Sequence, residues 1–326
     1  MKTAMILIIA LAAVAAISVI FSFVLFMYVF YSRNCKKKKA EFEMPPGREY
    51  VQYEKRLREW ARMADELEFV EVSTKSFDGL TLYARYYEFY KGAPIEIMFH
   101  GYRGNALRDL SAGLDRAKRV FHNVLLVDQR GSGRSDGHVI TFGIREHKDC
   151  IGWIDYTVKN ISADAKIILT GISMGAATVL MASGRELHPN VIGVLADCGY
   201  TSAEKIIKKV IKDMKLPPKP LYPFVALGAR LFGGFSLSEY SPEKAMETST
   251  LPIIFFHGDG DRFVPMYMSV ENYNICTSAK KELVIMEKAG HGLCFMVDEE
   301  KYVKALQNFF GSYDGTDKIM CECGCK

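Results

Sequence analysis

The sequence predicts an α/β protein: a mostly parallel central sheet with helices on both faces, preceded by one long apolar helix. Three observations carry this. Short continuous apolar runs recur from residue 95 onward, separated by longer segments of helical periodicity, the alternation that builds a parallel sheet covered on both sides. Two segments of period-two alternation flank Asp78-Gly79, a hairpin signal that adds an antiparallel edge. Residues 3–32 contain no charged side chain.

That N-terminal run reads as a transmembrane anchor, because a hydrocarbon core of about 30 Å needs about 20 helical residues. A secretory signal would carry an apolar stretch of about 7–15 residues and a small-x-small cleavage site. This run is longer and closes on Phe30-Tyr31-Ser32-Arg33. Tyr28 and Tyr31 suit an interfacial aromatic belt. Residues 33–48 read as a basic juxtamembrane linker. Arg33 and Lys36-Lys37-Lys38-Lys39 outweigh the lone Lys2 before the span, so the positive-inside bias places a single-pass protein in the cell membrane with its folded domain in the cytoplasm. Membrane lipid is the partner this implies. The net charge of +4 is mild and concentrated in the linker, which argues against nucleic acid as a partner.

The chain has eight cysteines. Cys150, Cys198, Cys276 and Cys294 stand singly in apolar or motif segments, where cysteine behaves as a small buried hydrophobe. Cys321, Cys323 and Cys325 cluster in a tail at 313–326 but lack a CxxC spacing and a fourth ligand, so no metal site is expected there.

A large domain is expected over 49–312. Residues 49–67 carry apolar positions at spacings of three and four and read as an amphipathic helix leading into it. Strands are expected at 95–99, 124–127, 166–169, 191–196, 252–256 and 283–286. Helices are expected at 107–119, 145–160, 175–187, 264–276 and 299–310. About 200–240 breaks the alternation. Its first part places Ile206, Ile207, Val210, Ile211 and Met214 on one helical face; Pro217, Pro218, Pro220 and Pro223 then interrupt the chain among aromatic residues. A connection this long in a compact domain points to a functional cap.

The chemistry concentrates in Leu169-Thr-Gly171-Ile-Ser173-Met-Gly175. Gly-x-Ser-x-Gly directly after a strand and before a helix is the context of a nucleophile elbow, where the tight turn leaves no room for a β-carbon two residues to either side. A serine hydroxyl needs a base to remove its proton, and His291, in Ala289-Gly-His-Gly292, follows the last apolar strand. An acid must orient that imidazole. Asp261, in His257-Gly-Asp-Gly-Asp261, follows the preceding strand, with Asp197 at the end of another strand as the runner-up. Oxyanion donors are expected from the backbone N–H of Met174, just past the serine, and of Tyr102 in the loop Phe99-His100-Gly101-Tyr102. His100 and His257 read as loop-organising residues.

On these residues the chain resembles the α/β-hydrolase superfamily, and within it membrane-anchored bacterial serine hydrolases similar to esterases and serine aminopeptidases. The resemblance spans roughly 69–310. It rests on His100-Gly101, Asp128-Gln-Arg-Gly-Ser-Gly-Arg-Ser-Asp-Gly137, the elbow, His257-Gly-x-x-Asp261-x-x-Val-Pro265 and Gly290-His291. The order Ser173, Asp261, His291 is that of the fold. The Asp128 to Gly137 stretch is structural in the family, and Asp197-Cys-Gly-Tyr-Thr-Ser202 resembles the entry to its cap. The resemblance implies an acyl-enzyme hydrolase acting on an ester, thioester or amide of a small-molecule, acyl or peptidyl substrate, foremost a carboxylesterase, with no metal or organic cofactor. The alternatives are a peptidase or amidase of the same fold and a non-catalytic membrane-tethered binding protein.

Overall fold

The structure is a computed structural model that describes residues 1–33, 42, 44, 45 and 47–311. The basic run at 36–39, most of the linker, and the cysteine tail expected at 313–326 lie outside the described residues.

Eight strands form one sheet in the order β1-β2-β4-β3-β5-β6-β7-β8. The hairpin around Asp78-Gly79 forms as expected: β1 (Val70–Lys75) pairs antiparallel with β2 (Thr81–Tyr87), and β2 pairs antiparallel with β4 (Asn123–Asp128). From β4 onward every pairing is parallel, through β3 (Ile95–Phe99), β5 (Ile167–Ile172), β6 (Val191–Asp197), β7 (Ile253–Gly258) and β8 (Lys281–Met286). The apolar runs are continuous because the central strands are covered on both faces. Ile97, Phe99, Leu125, Leu169 and Phe255 pack with Trp153, Val179 and Leu180 on one side. On the other side, Met98 and Leu126 pack with Leu110 and Leu114, and Leu195 and Phe256 with Tyr302 and Leu306.

Helices α3 (Ala106–Arg119), α10 (Cys294–Val297) and α11 (Glu299–Phe310) lie on that second side with α2 (Glu54–Glu66). On the first lie α4 (Glu146–Tyr156), α5 (Met174–Ser183), α8 (Pro242–Met246) and α9 (Tyr267–Ile275). The expected 49–67 helix divides into a 3₁₀ turn at Arg48–Tyr53 followed by α2. The 145–160 helix ends in a π turn at Thr157–Ile161. The 175–187 helix stops at Ser183, and a β-carbon on the following Gly184 would lie 2.7 Å from Cα of Ala245.

Between β6 and β8 the chain departs from simple alternation. An insertion ahead of β7 carries α6 (Ala203–Asp213), α7 (Pro218–Gly228) and α8, with a π turn at Ala229–Gly233. The proline run expected to break the chain builds α7 instead. Pro218 and Pro220 sit in its first turn, where no intrahelical N–H bond is lost, and only Pro223 lies deeper.

Helix α1 (Lys2–Val29) is the partner that α7 packs against. Its residues 1–17 are exposed, whereas Ser22, Phe26 and Phe30 are buried. Phe30 meets Phe142 and Phe235 edge-on, and Phe26 packs on Phe232. Burying each such ring contributes roughly 1.5–3 kcal/mol. Past the helix, Phe30 accepts a backbone bond from Ile140, Ser32 donates to His138 O (2.7 Å), and Tyr31 pairs with Val139 and stacks on His138. Tyr31 is therefore bound into the domain, unlike the belt residue its position suggests. Gly228 permits the closest approach: a β-carbon there would lie 2.5 Å from Ser22 O.

Candidate active site

The serine sits where strand meets helix. β5 ends at Ile172, α5 begins at Met174, and Ser173 between them adopts φ 57° and ψ −115°. Positive φ is costly for a residue with a β-carbon. The turn is held by a Ser173 N–H bond to Asp197 O (2.8 Å) and by the absence of side chains at both flanking glycines. A β-carbon on Gly171 would lie 2.2 Å from the carbonyl carbon of Gly175, and one on Gly175 would lie 1.9 Å from Phe99 O. Neither obstacle can move, since both belong to backbone.

Ser173 Oγ lies 2.9 Å from His291 Nε2, and His291 Nδ1 lies 2.7 Å from Asp261 Oδ2. Three residues separated by 118 and 30 positions thus form one hydrogen-bonded line. Asp261 is fully engaged. Its Oδ1 accepts the N–H groups of Phe263 (2.8 Å) and Val264 (2.9 Å), and its Oδ2 also lies 3.3 Å from His257 Nε2. Burial alone would raise the Asp261 pKa, but hydrogen bonds from His257 and His291 outweigh it and hold the carboxyl well below the usual range. Asp261 is ionised at neutral pH, as a partner for an imidazolium must be.

His257 is buried with Nε2 directed to Val264 O (2.8 Å) and Nδ1 to Ser269 Oγ (2.6 Å). It organises the Asp261 loop, as its sequence context suggests. Tyr50 is the residue sequence reasoning missed. Its hydroxyl donates to His291 O at 2.8 Å and fixes the histidine loop from the N-terminal side. No local signal marks it, because the contact spans 241 positions.

The loop after β3 closes over the serine: a β-carbon on Gly101 would lie 3.5 Å from Ser173 Cβ. His100 is buried and organises this loop, with Nδ1 donating to Gly101 O (2.8 Å) and Nε2 accepting from Gln129 N–H (3.0 Å). The Gly101 N–H is taken by Asp109 Oδ2 (3.0 Å), and Tyr102, whose N–H is the expected oxyanion donor, is the next residue of this loop. The Tyr102 side chain turns away to α1, donating to Val29 O at 2.6 Å. Arg103 Nη2 donates to Tyr28 O (2.5 Å) and Tyr31 O (3.2 Å). Carbonyls at a helix C-terminus have no intrahelical donor, and here the loop supplies them. Met174 opens α5, where N–H groups likewise lack an intrahelical partner.

Asp197, the runner-up acid, is buried and accepts from Tyr302 Oη (3.0 Å). It contributes its backbone carbonyl to the elbow. Burial raises its pKa against the hydrogen bonds from Cys294 and Tyr302. The Asp128 to Gly137 stretch is structural: Asp128 caps the backbone at Ala106 and Arg134, and Arg130 is paired with Asp149 and Asp78. Ligand atoms of Cys198, Asp261 and His291 lie within 4.8 Å of one another. Burial pushes the Cys198 thiol well up, however, so it stays protonated and is a poor metal ligand.

A cavity of about 410 Å³ opens at Ser173 and His291. Its mouth includes Tyr102, Arg103 and Phe263, and it runs between the sheet and α3 along Met98, Leu110, Leu195 and Phe295. The inner end reaches Arg116, Asp197 and Tyr302. The lining is chiefly apolar, suited to an organic group of moderate size.

The strand order, the serine at the tip of β5 and the insertion ahead of β7 define an α/β-hydrolase fold. The comparisons agree. The family described as alpha/beta hydrolase fold matches residues 97–241. YqkD of Bacillus subtilis is 28% identical over 215 residues, covering 65% of this chain and 70% of its own. Protein bem46 of Schizosaccharomyces pombe is 24% identical over 228 residues, covering 68% of each. The solved esterase Pf2001 of Pyrococcus furiosus superposes with a TM-score of 0.64 at 20% identity, over 83% of this chain and 97% of that one. The chain has the α/β-hydrolase fold, and the family match over residues 97–241 supports its place in that superfamily.

Proposed function

We propose that this protein is a serine carboxylesterase tethered to a membrane by α1, with Ser173 as nucleophile, His291 as general base and Asp261 as the orienting acid. The observation that carries the reading is the unbroken hydrogen-bonded line from Ser173 through His291 to Asp261 at a strained elbow. In this reading Ser173 Oγ attacks the carbonyl carbon while its proton passes to His291 Nε2. The charge that develops on the carbonyl oxygen is met by the N–H groups of Met174 and Tyr102, each donor contributing about 3–4 kcal/mol. Collapse expels the alcohol, which takes the proton from His291. Water then gives a proton to His291, attacks the acyl-serine, and releases the carboxylic acid as Ser173 regains its proton.

The apolar cavity supports an ester with a hydrocarbon or aromatic group. Hydrolysis of p-nitrophenyl esters, measured beside the matching p-nitroanilides, tests the bond type. Ester turnover that disappears in Ser173→Ala supports the reading; anilide turnover alone would make the protein an amidase.

Helix α1 is long and apolar enough to cross a membrane. Phe26 and Phe30 support a retained anchor over a removed signal, since removing them would strip the Phe142 and Phe235 rings of their packing. The charge bias around the span supports a cytoplasmic domain. Intact mass of the membrane-extracted protein tests retention, and protease accessibility in sealed vesicles tests orientation.

A further inference from the structure

Residues 2–21 of α1 extend about 30 Å, the thickness of a hydrocarbon core. The domain begins where that length ends, since Ser22 is the first buried residue of the helix. Contacts advance together along α1 and the insertion: Phe21 meets Phe224, Ser22 meets Gly228, Phe26 meets Phe232 and Phe30 meets Phe235. The two segments therefore run in the same sense. The turn before α7 lies on the side of Phe224 from which α1 arrives.

The composition there is distinctive. Met214 and Leu216 are exposed, by 48% and 44%. Around them stand Lys212, Lys215 and Lys219, against the single acid Asp213, which pairs with Lys209. Among the described residues no ion pair holds Lys215 or Lys219. Helix α6 differs. Its apolar face is buried through Ile206, Ile207 and Ile211, while Lys205 and Lys208 are paired with acids.

We propose that the tip of the insertion, from Met214 to Pro220, seats in the interface of the bilayer that α1 crosses, its basic side chains reaching anionic headgroups. The proposal rests on the anchor reading. Apolar side chains backed by lysine and arginine are the chemistry of an interfacial surface, and the continuous packing onto α1 fixes which surface it meets. The Ser173 cavity lies nearby, since Lys209 of α6 contacts Arg262 and Phe263, and Phe263 lies edge-on to His291.

The test places tryptophan at the tip in the full chain, with M214W and L216W compared with E186W, an exposed site outside the insertion. Each variant is reconstituted into phosphatidylcholine–phosphatidylglycerol vesicles with plain or brominated acyl chains. Trp60 and Trp153 are buried and give a constant background. Blue-shifted emission that loses intensity in brominated vesicles is expected for M214W and L216W, with no change for E186W. K215E combined with K219E is expected to weaken that quenching. Protein that resists carbonate extraction yet shows no quenching at either tip site would overturn the interfacial seat alone. Release by carbonate would overturn the anchor and the seat together. A blue shift without bromine quenching would mean that a second copy covers the tip, which also overturns the proposal.

Discussion

The hydroxyl of Tyr102 donates to the carbonyl of Val29 at 2.6 Å, tying the loop over Ser173 to the last turn of the N-terminal apolar helix. Arg103 repeats the connection one residue on, at Tyr28 and Tyr31. In the proposed mechanism the Tyr102 N–H faces the oxyanion, so the helix end sets where that donor sits. Tyr102→Phe keeps the ring and removes the bond. A net loss of about 1 kcal/mol, if expressed in the transition state, lowers kcat about fivefold with KM little changed. Steady-state ester kinetics check this, and an unchanged kcat would contradict it.

Two buried aspartates end at the same sheet edge, and only Asp261 bonds to His291. Asp261→Asn is expected to cut kcat by about 10⁴, the scale known for the acid of such a line. Asp197→Asn keeps the backbone carbonyl that holds Ser173 and should cost far less activity. Reversed effects would move the acid to Asp197.

Glu96 lies fully buried on β3, accepting from Arg116, His122 and Thr170. Burial alone would raise its pKa, but the Arg116 charge and the His122 bond outweigh it and lower the value to about 2. A depressed carboxylate contributes stability that is complete above its unfolded pKa of about 4.5 and is lost as pH falls towards about 2. Glu96→Gln leaves Arg116 uncompensated and should cost about 3–5 kcal/mol at pH 7. The stability gap between wild type and variant should narrow through that acid window. Chemical denaturation at a series of pH values reads both effects.

Gly228 on α7 faces Ser22 of α1 without room for a side chain. Gly228→Leu should therefore force the two helices apart and destabilise the domain by about 1–3 kcal/mol. Thermal unfolding in detergent measures this. An unchanged midpoint would mean that α1 is not docked there.

The fold was legible because its signals are local. Each central strand is a short apolar run, and the 95–99 and 299–310 elements form at the expected residues. Ser173, Asp261 and His291 were readable from their places after β5, β7 and β8, since a parallel sheet brings those strand ends to one edge. The contacts that support them were not. Tyr50 reaches His291 across the whole domain, and its apolar spacing matched an ordinary amphipathic helix. Tyr31 reads as a belt residue until Val139 and His138 are seen beside it. The proline run reads as a helix breaker because its compensation, packing on α1, lies about two hundred positions away in the chain.

An activated serine reacts with a fluorophosphonate probe, so labelling of the protein with such a probe decides whether Ser173 is a nucleophile. One stoichiometric adduct is expected by intact mass, mapped to Ser173, absent in Ser173→Ala and strongly slowed in His291→Ala. A folded wild-type protein that takes no label, or takes it at another residue, would rule out Ser173 as the nucleophile.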